Sequence, residues 1–233
     1  MLKIHRNAWP ALALCAALVN SLALSNASAQ TPARRGAESP NNPCGPIYTR
    51  HYGPFDYRTQ RGELKIVEDF HFTPKVEALV AGSSGYIGGD LNYTLLSSPN
   101  HHRALLALMR WGEKTKSEQT SGMSFPLDCY FDRAIRFTPD DTVVRAFYAR
   151  FLHSRKRTDE ALAQMAAGAA HAGDSALSHY NLGLVYLEIG QPELALAQAH
   201  KAMAMGMMRT ALKDQLQAAG KWQEPPPNRP AAP

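Results

Sequence analysis

Apolar residues recur at intervals of three and four positions through the second half of the chain, and this spacing predicts amphipathic helices. Proline, glycine or short polar stretches separate successive helices, so each helix is expected to fold back on the previous one as a hairpin. A longer polar loop spans residues 116–126. The pattern predicts an all-α fold, with helices over residues 103–114, 127–137, 142–154, 159–170, 176–189, 192–205 and 210–221.

The segment before these helices is less regular. Apolar and polar residues alternate over residues 64–72, which favours a strand, but Glu68 interrupts the alternation and a helix is the alternative. Thr73 and Pro74 form a good helix start, and a short helix is expected to reach Ala81. A second short helix is expected over residues 90–97, after a flexible turn formed by Gly82, Gly85, Gly88 and Gly89.

The helical half contains an internal repeat. Residues 161–164 have the sequence Ala-Leu-Ala-Gln, and the same four residues recur at 195–198. The interval between the two segments, from residue 161 to residue 195, is here called the repeat offset. Its size is typical of stacked helical hairpins. Further pairs share the repeat offset: Tyr148 with Leu182, Ala149 with Gly183, Leu152 with Tyr186, and Asp159 with Glu193.

The repeat resembles the tetratricopeptide repeat family, in which large and small residues occupy fixed positions of a two-helix unit. The hairpin from Ala176 matches this pattern best, and the one from Thr142 matches well. A unit from His102 has a longer loop, and Met109 stands where a small residue belongs. The matching residues are Leu182, Gly183, Tyr186, Ala195, Ala199 and Ala202, then Tyr148, Ala149, Leu152, Ala161, Met165 and Gly168, then Phe131, Ala134 and Pro139.

The resemblance covers about residues 100–222 and implies a tetratricopeptide-like α-hairpin solenoid of about three repeats. A helix from Thr210 would cap it, and residues 44–98 would form an irregular N-terminal region packed on the repeats. The first helix of each unit would line a concave peptide-binding groove. Its candidate residues are Arg103, Arg110, Lys114, Arg150, His153, Tyr180, Asn181 and Leu184, with Leu106, Glu113, Val143, Ala146, Ser154, Leu177, Leu187 and Glu188 at further groove positions.

The arginines and Lys114 in this set could bind an acidic peptide or a free C-terminal carboxylate. The alternative is that they form a solvated helix face.

The two ends of the chain are expected to lie outside the fold. Lys3 and Arg6 precede an apolar stretch over residues 11–24, and Ala27-Ser28-Ala29 suits signal peptidase, so residues 1–29 are predicted to be a signal peptide cut before Gln30. The alternative is a membrane anchor that is not cleaved. It is less consistent with the sequence, because about 20 apolar residues are needed to span a bilayer and this run is shorter. Residues 30–43 and the Pro-rich tail 223–233 are predicted to be disordered. The protein is therefore expected in the periplasm or outside the cell.

Charge and cysteine content refine this picture. Loss of Lys3 and Arg6 with the signal peptide would lower the formal net charge from +5 by two, and a mildly basic chain gives no reason to expect nucleic acid as a partner. Cys15 would leave with the signal peptide, so Cys44 and Cys129 remain. In an oxidising compartment such a pair predicts a disulfide, whereas a redox or metal-binding pair would have closer spacing.

No recognisable catalytic motif is present. Adjacent His101 and His102 would point about 100° apart on a helix, and an exposed helix start explains them better than a metal site. The glycine-rich stretch 82–89 lacks the Gly-Lys-Ser/Thr of a phosphate loop. Asp140 and Asp141 are expected to cap a helix. We therefore assign no catalytic residue, metal or cofactor, and expect no enzyme.

Two functions remain open from the sequence. The favoured one is a periplasmic adaptor or scaffold that binds a protein or peptide in a cell-envelope assembly. The alternative is a small-ligand or metal-binding protein, or a weak enzyme, with a site formed by residues 44–98 and the first hairpin. In both cases no stable membrane span is expected after removal of the signal peptide.

Overall fold

A computed structural model describes residues 42–225. Within this range the fold is all-α, with ten helices and no strand. The predicted signal peptide, most of the linker and residues 226–233 of the tail lie outside the described residues. The helices are α1 (Arg61–His71), α2 (Pro74–Glu77), α3 (Ile87–Ser97), α4 (His102–Thr115), α5 (Leu127–Phe137), α6 (Thr142–Ser154), α7 (Thr158–His171), α8 (Ala176–Glu188), α9 (Pro192–Ala204) and α10 (Ala211–Ala218).

The helices from α4 onwards pack mainly on their neighbours in sequence. Connections of a few residues make α6 with α7, and α8 with α9, closely packed hairpins. The first helices α4, α6 and α8 also contact one another in that order, and α10 packs on α8 and α9. One apolar core runs through these contacts from Phe72 to Leu216. Among the described residues, no helix is long and apolar enough to cross a bilayer.

The repeat offset also relates the helix ends. The Asp141 carboxylate accepts hydrogen bonds from the first turn of α6, and the Ser175 hydroxyl does the same for α8. The turn after each first helix contains a residue with a left-handed backbone, Lys156 with a φ of 61° and Gly190 with a φ of 77°. The two hairpins are therefore equivalent in their helix starts and turns, as well as in the apolar positions between them.

The two Ala-Leu-Ala-Gln segments occupy equivalent places in the second helices α7 and α9. Ala161 and Ala195 are both fully buried. Gln164 accepts a hydrogen bond from Arg145 Nη1 at 2.9 Å, and its counterpart Gln198 is bonded to His179. In both hairpins, the glutamine of the second helix is thus hydrogen-bonded to the residue at the same position of the first helix.

The predicted strand over residues 64–72 is wrong, because this segment forms helix α1. Leu64 and Val67, one turn apart, are buried on one face of the helix. Ile66 and Phe70 are also apolar but lie exposed on another face. Because apolar residues lie on two faces of this one helix, its sequence pattern resembles the alternation that is typical of a strand.

The flexible turn that was predicted over residues 82–89 is only half present, since Gly88 and Gly89 lie in the first turn of α3. A Cβ added to Gly88 would lie 2.6 Å from the backbone oxygen of Ser121. These glycines therefore allow α3 to approach the 116–126 loop closely. Helix α2 is also shorter than expected, and it ends at Glu77.

The disulfide prediction is confirmed: Cys44 and Cys129 are bonded, with their Cα atoms 5.0 Å apart. The bond ties the N-terminal segment to α5. The Arg133 guanidinium strengthens the same attachment by donating hydrogen bonds to the carbonyl oxygens of Cys44 at 3.0 Å and Pro46 at 2.6 Å. Arg136 donates a further bond to Gly45 O at 3.0 Å.

A buried polar network joins the N-terminal region to the starts of α4 and α6. The Asn100 amide donates to Asp56 at 2.8 Å and to Asp141 at 3.1 Å. His102 Nε2 lies 2.8 Å from the same Asp141 carboxylate. Arg58 lies against Asp56, and hydrogen bonds from Arg58 and Asn100 outweigh burial and hold the pKa of Asp56 at about 2.

The expectation of an exposed start to α4 is wrong at His101, which is fully buried. Its Nδ1 accepts the backbone N–H of Ala104 at 3.1 Å and so caps the helix. Its Nε2 lies 2.9 Å from Glu68 of α1, and the Tyr57 ring packs on it at a centroid distance of 4.3 Å. The packing of α1 and the 52–57 segment covers a helix start that the local sequence presents as polar.

Candidate functional site

A groove lies between the first helices α6 and α8, and a pocket of about 390 Å³ forms its centre. None of the lining residues comes from the hairpin partners α7 and α9. The small residues Ala149 and Gly183 at matching positions of α6 and α8 are both buried. The groove residues are Val143, Ala146, Phe147, Arg150, Asn181, Leu184, Val185 and Glu188.

The groove contains three of the eight candidate residues and three of the further positions predicted from the sequence. Arg150, Asn181 and Leu184 lie in it together, with Val143, Ala146 and Glu188 beside them. Phe147 was missed, although the repeat offset relates it to Asn181 and so gives it the equivalent place in α6.

Asn181 is the one uncharged polar residue of the lining. Its side chain is half-buried and makes no hydrogen bond to any other residue within the range 42–225. A carboxamide carries one acceptor oxygen and an NH₂ group with two donors. Asn181 can therefore donate and accept at the same time, which a backbone peptide unit would satisfy.

Arg150 is paired within the groove itself. Its Nε donates to the Glu188 carboxylate at 2.9 Å, from α6 across to α8. Both side chains are partly exposed, so the pair contributes little to stability. It nevertheless neutralises the cation at this end of the groove.

Tyr180 and His153 are not among the residues that line the groove. Tyr180 is buried in the core, with Arg209 above its ring at 5.9 Å. The Nδ1 atom of half-buried His153 is shielded from solvent and has no hydrogen-bond partner among the described residues.

Two of the three cations predicted for the first unit have partners from the N-terminal region. The Arg103 guanidinium forms a bidentate ion pair with Glu77 of α2, and its Nη1 lies 3.8 Å from Glu68. Lys114 Nζ donates to the backbone oxygen of Leu79 at 2.8 Å. Helix α2 also packs directly on α4. Arg110 is exposed and makes no ion pair with any residue of the range 42–225.

A serine, a histidine and an aspartate meet between α1 and α3, but they do not form a nucleophilic triad. His71 Nδ1 lies 3.0 Å from the Asp90 carboxylate, and the Ser84 hydroxyl donates to that same carboxylate. Ser84 Oγ is 3.4 Å from Nδ1, on the side of the imidazole that Asp90 occupies. A triad needs the serine on the opposite nitrogen, where the ring can take its proton.

Asp90 also explains the glycine-rich stretch before α3. Its carboxylate accepts the backbone N–H groups of Ser83 at 2.6 Å and Ser84 at 3.2 Å. The loop thus holds an anion of the protein itself at the position where a phosphate loop would hold its ligand. Among the described residues, no group of three or more histidines, cysteines and acidic residues is placed to hold a metal ion.

No protein-family model, curated protein or solved structure matches the chain. The residues and their geometry are therefore the basis of the functional argument.

Proposed function

We propose that the protein is an exported adaptor that binds an extended peptide of a partner protein in the groove between α6 and α8. Residues 99–222 would act as a tetratricopeptide-like stack of hairpins, and binding would involve no chemical turnover. The observation that carries the proposal is the Asn181 amide in the lining of this groove, where it has no hydrogen-bond partner among the described residues.

The repeated contacts support the stack. Helix caps at Asp141 and Ser175 share the repeat offset with the left-handed turns at Lys156 and Gly190. The bridges that involve Gln164 and Gln198 share it too. Hairpins that repeat at this level of detail place α6 and α8 side by side in the same orientation, and such stacked first helices form a concave binding surface.

An extended backbone fits the polar and apolar groups of the groove. Asn181 can pair with both the N–H and the C=O of one peptide unit. Val143, Phe147 and Leu184 are partly exposed apolar side chains that the residues on either side of that unit could cover. Such burial provides about 25 cal/mol per Å² of apolar surface.

The charge of the groove favours a peptide that is uncharged where it binds. The ion pair of Arg150 with Glu188 leaves no net charge in the lining. Arg103 and Lys114 already bind groups of the N-terminal region. We therefore replace the acidic peptide of the sequence analysis with one that carries apolar side chains.

A peptide library displayed on phage tests this proposal. Peptides selected on the purified protein are expected to share apolar residues and no acidic cluster, and fluorescence anisotropy gives their affinity. Asn181→Ala should weaken the binding about tenfold, because two hydrogen bonds are lost. Leu184→Glu should abolish it by placing a charge in the apolar lining.

Matched controls lie on other helices. Gln217→Ala removes an exposed amide from α10, and Leu194→Glu charges an exposed leucine of α9, so neither should change the affinity. The proposal fails if the library yields no saturable binder, or if the control variants weaken the selected peptides as much as the groove variants do.

Export is part of the proposal and rests on the predicted signal peptide and on the disulfide between Cys44 and Cys129. Disulfides persist mainly in oxidising compartments. Expression of the full chain in a bacterium, followed by intact mass analysis, tests it: the product is expected to begin at Gln30 and to lie outside the cytoplasm. A product in the cytoplasm that retains residues 1–29 would contradict it.

A further inference from the structure

A second pocket, of about 320 Å³, lies between α1, α3 and the segment around residue 52, far in sequence from the peptide groove. Its size lies within the range of small-molecule sites. Three of the six lining side chains are phenyl or phenol rings and one is an imidazole. The lining residues are Tyr52, Ile66, Val67, Phe70, His71 and Tyr93.

The imidazole of His71 is held in one orientation. Its Nδ1 lies 3.0 Å from the carboxylate of Asp90, which is fully buried, and its ring stacks on Tyr93 at a centroid distance of 3.8 Å. Burial would raise the pKa of Asp90, but hydrogen bonds from Ser84, His71 and the backbone of Ser83 hold it below the ordinary value. An ionised carboxylate can only accept, so Nδ1 carries the proton.

The other nitrogen of His71 is available to a ligand. When the ring is neutral, the Nδ1–H that faces Asp90 leaves Nε2 as a hydrogen-bond acceptor. Nε2 makes no hydrogen bond to any residue of the range 42–225, and the side chain is 23% exposed. A buried network of hydrogen bonds and ring contacts therefore ends in one acceptor that lines an aromatic pocket.

The charges around the pocket argue against an ionic ligand. None of the six lining residues is a lysine, arginine, aspartate or glutamate. The negative charge of Asp90 lies directly behind the ring and would repel an anion. A single acceptor among apolar rings suits a neutral ligand that donates one hydrogen bond.

The outer face of α1 also has the character of a binding surface. Ile66 and Phe70 lie one turn apart, and they are 56% and 63% exposed. Tyr52, at the rim of the same pocket, is also exposed. Exposed apolar side chains that cluster around a pocket are stronger evidence for a ligand that covers them than scattered ones are.

We propose that this pocket binds a neutral phenol, with its hydroxyl donating to Nε2 of His71 and its ring packed on the aromatic lining. The ligand class follows from one oriented acceptor, several flat apolar rings and the absence of a cation among the lining residues. The site is separate from the peptide groove and does not depend on it.

Titration of the purified protein with four probes, followed by NMR of the imidazole nitrogens, tests the proposal. The probes are 4-ethylphenol, ethylbenzene, 4-ethylbenzoate and N-acetyltyrosinamide. The phenol should bind about tenfold more tightly than ethylbenzene or the benzoate, and should shift the Nε2 resonance of His71 on binding. N-acetyltyrosinamide mimics a tyrosine side chain of a partner protein. If it binds as tightly as 4-ethylphenol, the natural ligand is such a tyrosine; if it binds more weakly, the natural ligand is a free small phenol.

The variant His71→Phe keeps an aromatic ring but removes the acceptor, so it should lose the preference for 4-ethylphenol over ethylbenzene. His200→Phe, on α9 beside Trp222, is the matched control and should keep it. The proposal is overturned if no probe binds saturably, if the benzoate binds as tightly as the phenol, or if His71→Phe retains the preference.

Discussion

His179 and Gln198 form a buried pair in which Nδ1 of His179 lies 2.6 Å from Oε1 of Gln198. His179 Nε2 is held at 3.0 Å by the carbonyl oxygen of Gly173. Gln164 occupies the same place in the preceding hairpin, but there the partner is the guanidinium of Arg145. The glutamine at this position of the repeat is therefore bonded to a histidine in one hairpin and to an arginine in the other.

The two glutamines differ in burial, and this difference gives a prediction. Gln198→Ala would leave the buried imidazole of His179 without a partner for Nδ1, at a cost of about 1–3 kcal/mol in the free energy of unfolding. Gln164→Ala should cost less, because Arg145 is only half-buried and also donates to Pro139 O. Urea denaturation measures both. Equal losses in the two variants would contradict this account.

Gly183 tests the packing behind the groove. A Cβ at this position would meet the tip of the Leu212 side chain from α10, and would lie 3.4 Å from Ala195 O. Gly183→Leu should therefore overpack the core and lower the free energy of unfolding by about 1–3 kcal/mol. Gly183→Ala is the control, and its effect should be clearly smaller because Leu212 can move by a small rotation. Thermal melting compares them, and an unchanged melting temperature for Gly183→Leu would argue against this packing.

The disulfide joins residues that are 85 positions apart in sequence. In the chain-entropy model, its loss should lower the free energy of unfolding by about 4–5 kcal/mol. Urea denaturation with and without a phosphine reductant measures this. The double variant Cys44→Ala, Cys129→Ala should resemble the reduced protein and should not respond to the reductant. Coincident unfolding curves for the oxidised and reduced protein would refute the prediction.

His101 makes the stability dependent on pH. Complete burial lowers the pKa of its imidazole, and this outweighs the opposing effect of Glu68. The bond from the Ala104 N–H to Nδ1 also requires an unprotonated Nδ1. The unfolded chain therefore binds a proton near the ordinary value of 6.5 while the folded protein does not. The free energy of unfolding should fall as the pH decreases from about 7.5 to about 5.5.

The groups that face His101 are Glu68, Arg103 and the rings of Tyr57 and Phe72. The Glu68 carboxylate titrates at lower pH, because its hydrogen bond with His101 holds its pKa below the ordinary value. His101→Asn retains a side chain that caps helices well but does not titrate. Its stability should depend less on pH across this window, and an unchanged dependence would assign the effect to other histidines.

Local sequence was enough to predict the helices from α4 onwards, and for a physical reason. The predicted bounds of α5 and α6 agree with the structure to the residue, because Pro126 and Asp141 start these helices and Phe137 and Ser154 end their apolar patterns. The disulfide also followed from simple counting, since only two of the three cysteines lie beyond the predicted signal peptide.

Features that depend on distant residues could not be predicted in this way. His101 follows Pro99 and Asn100 and looks exposed, but α1 and Tyr57, both far away in sequence, bury it. Arg103 looks available to a ligand, whereas Glu77 of another helix binds it. Of the candidate groove, the sequence predicted Arg150, Asn181 and Leu184 on α6 and α8, because these helices repeat. It did not predict the burial of Tyr180 or the partners that the N-terminal region supplies.

Hydrogen–deuterium exchange of the backbone amides, with and without a peptide selected from the library, tests the central claim most directly. We predict that saturating peptide slows exchange in α6 and α8, the two helices that line the groove around Asn181, and leaves α1 and α3 unchanged. Protection confined to other helices, or none at saturation, would contradict the claim that partners bind between the repeated hairpins.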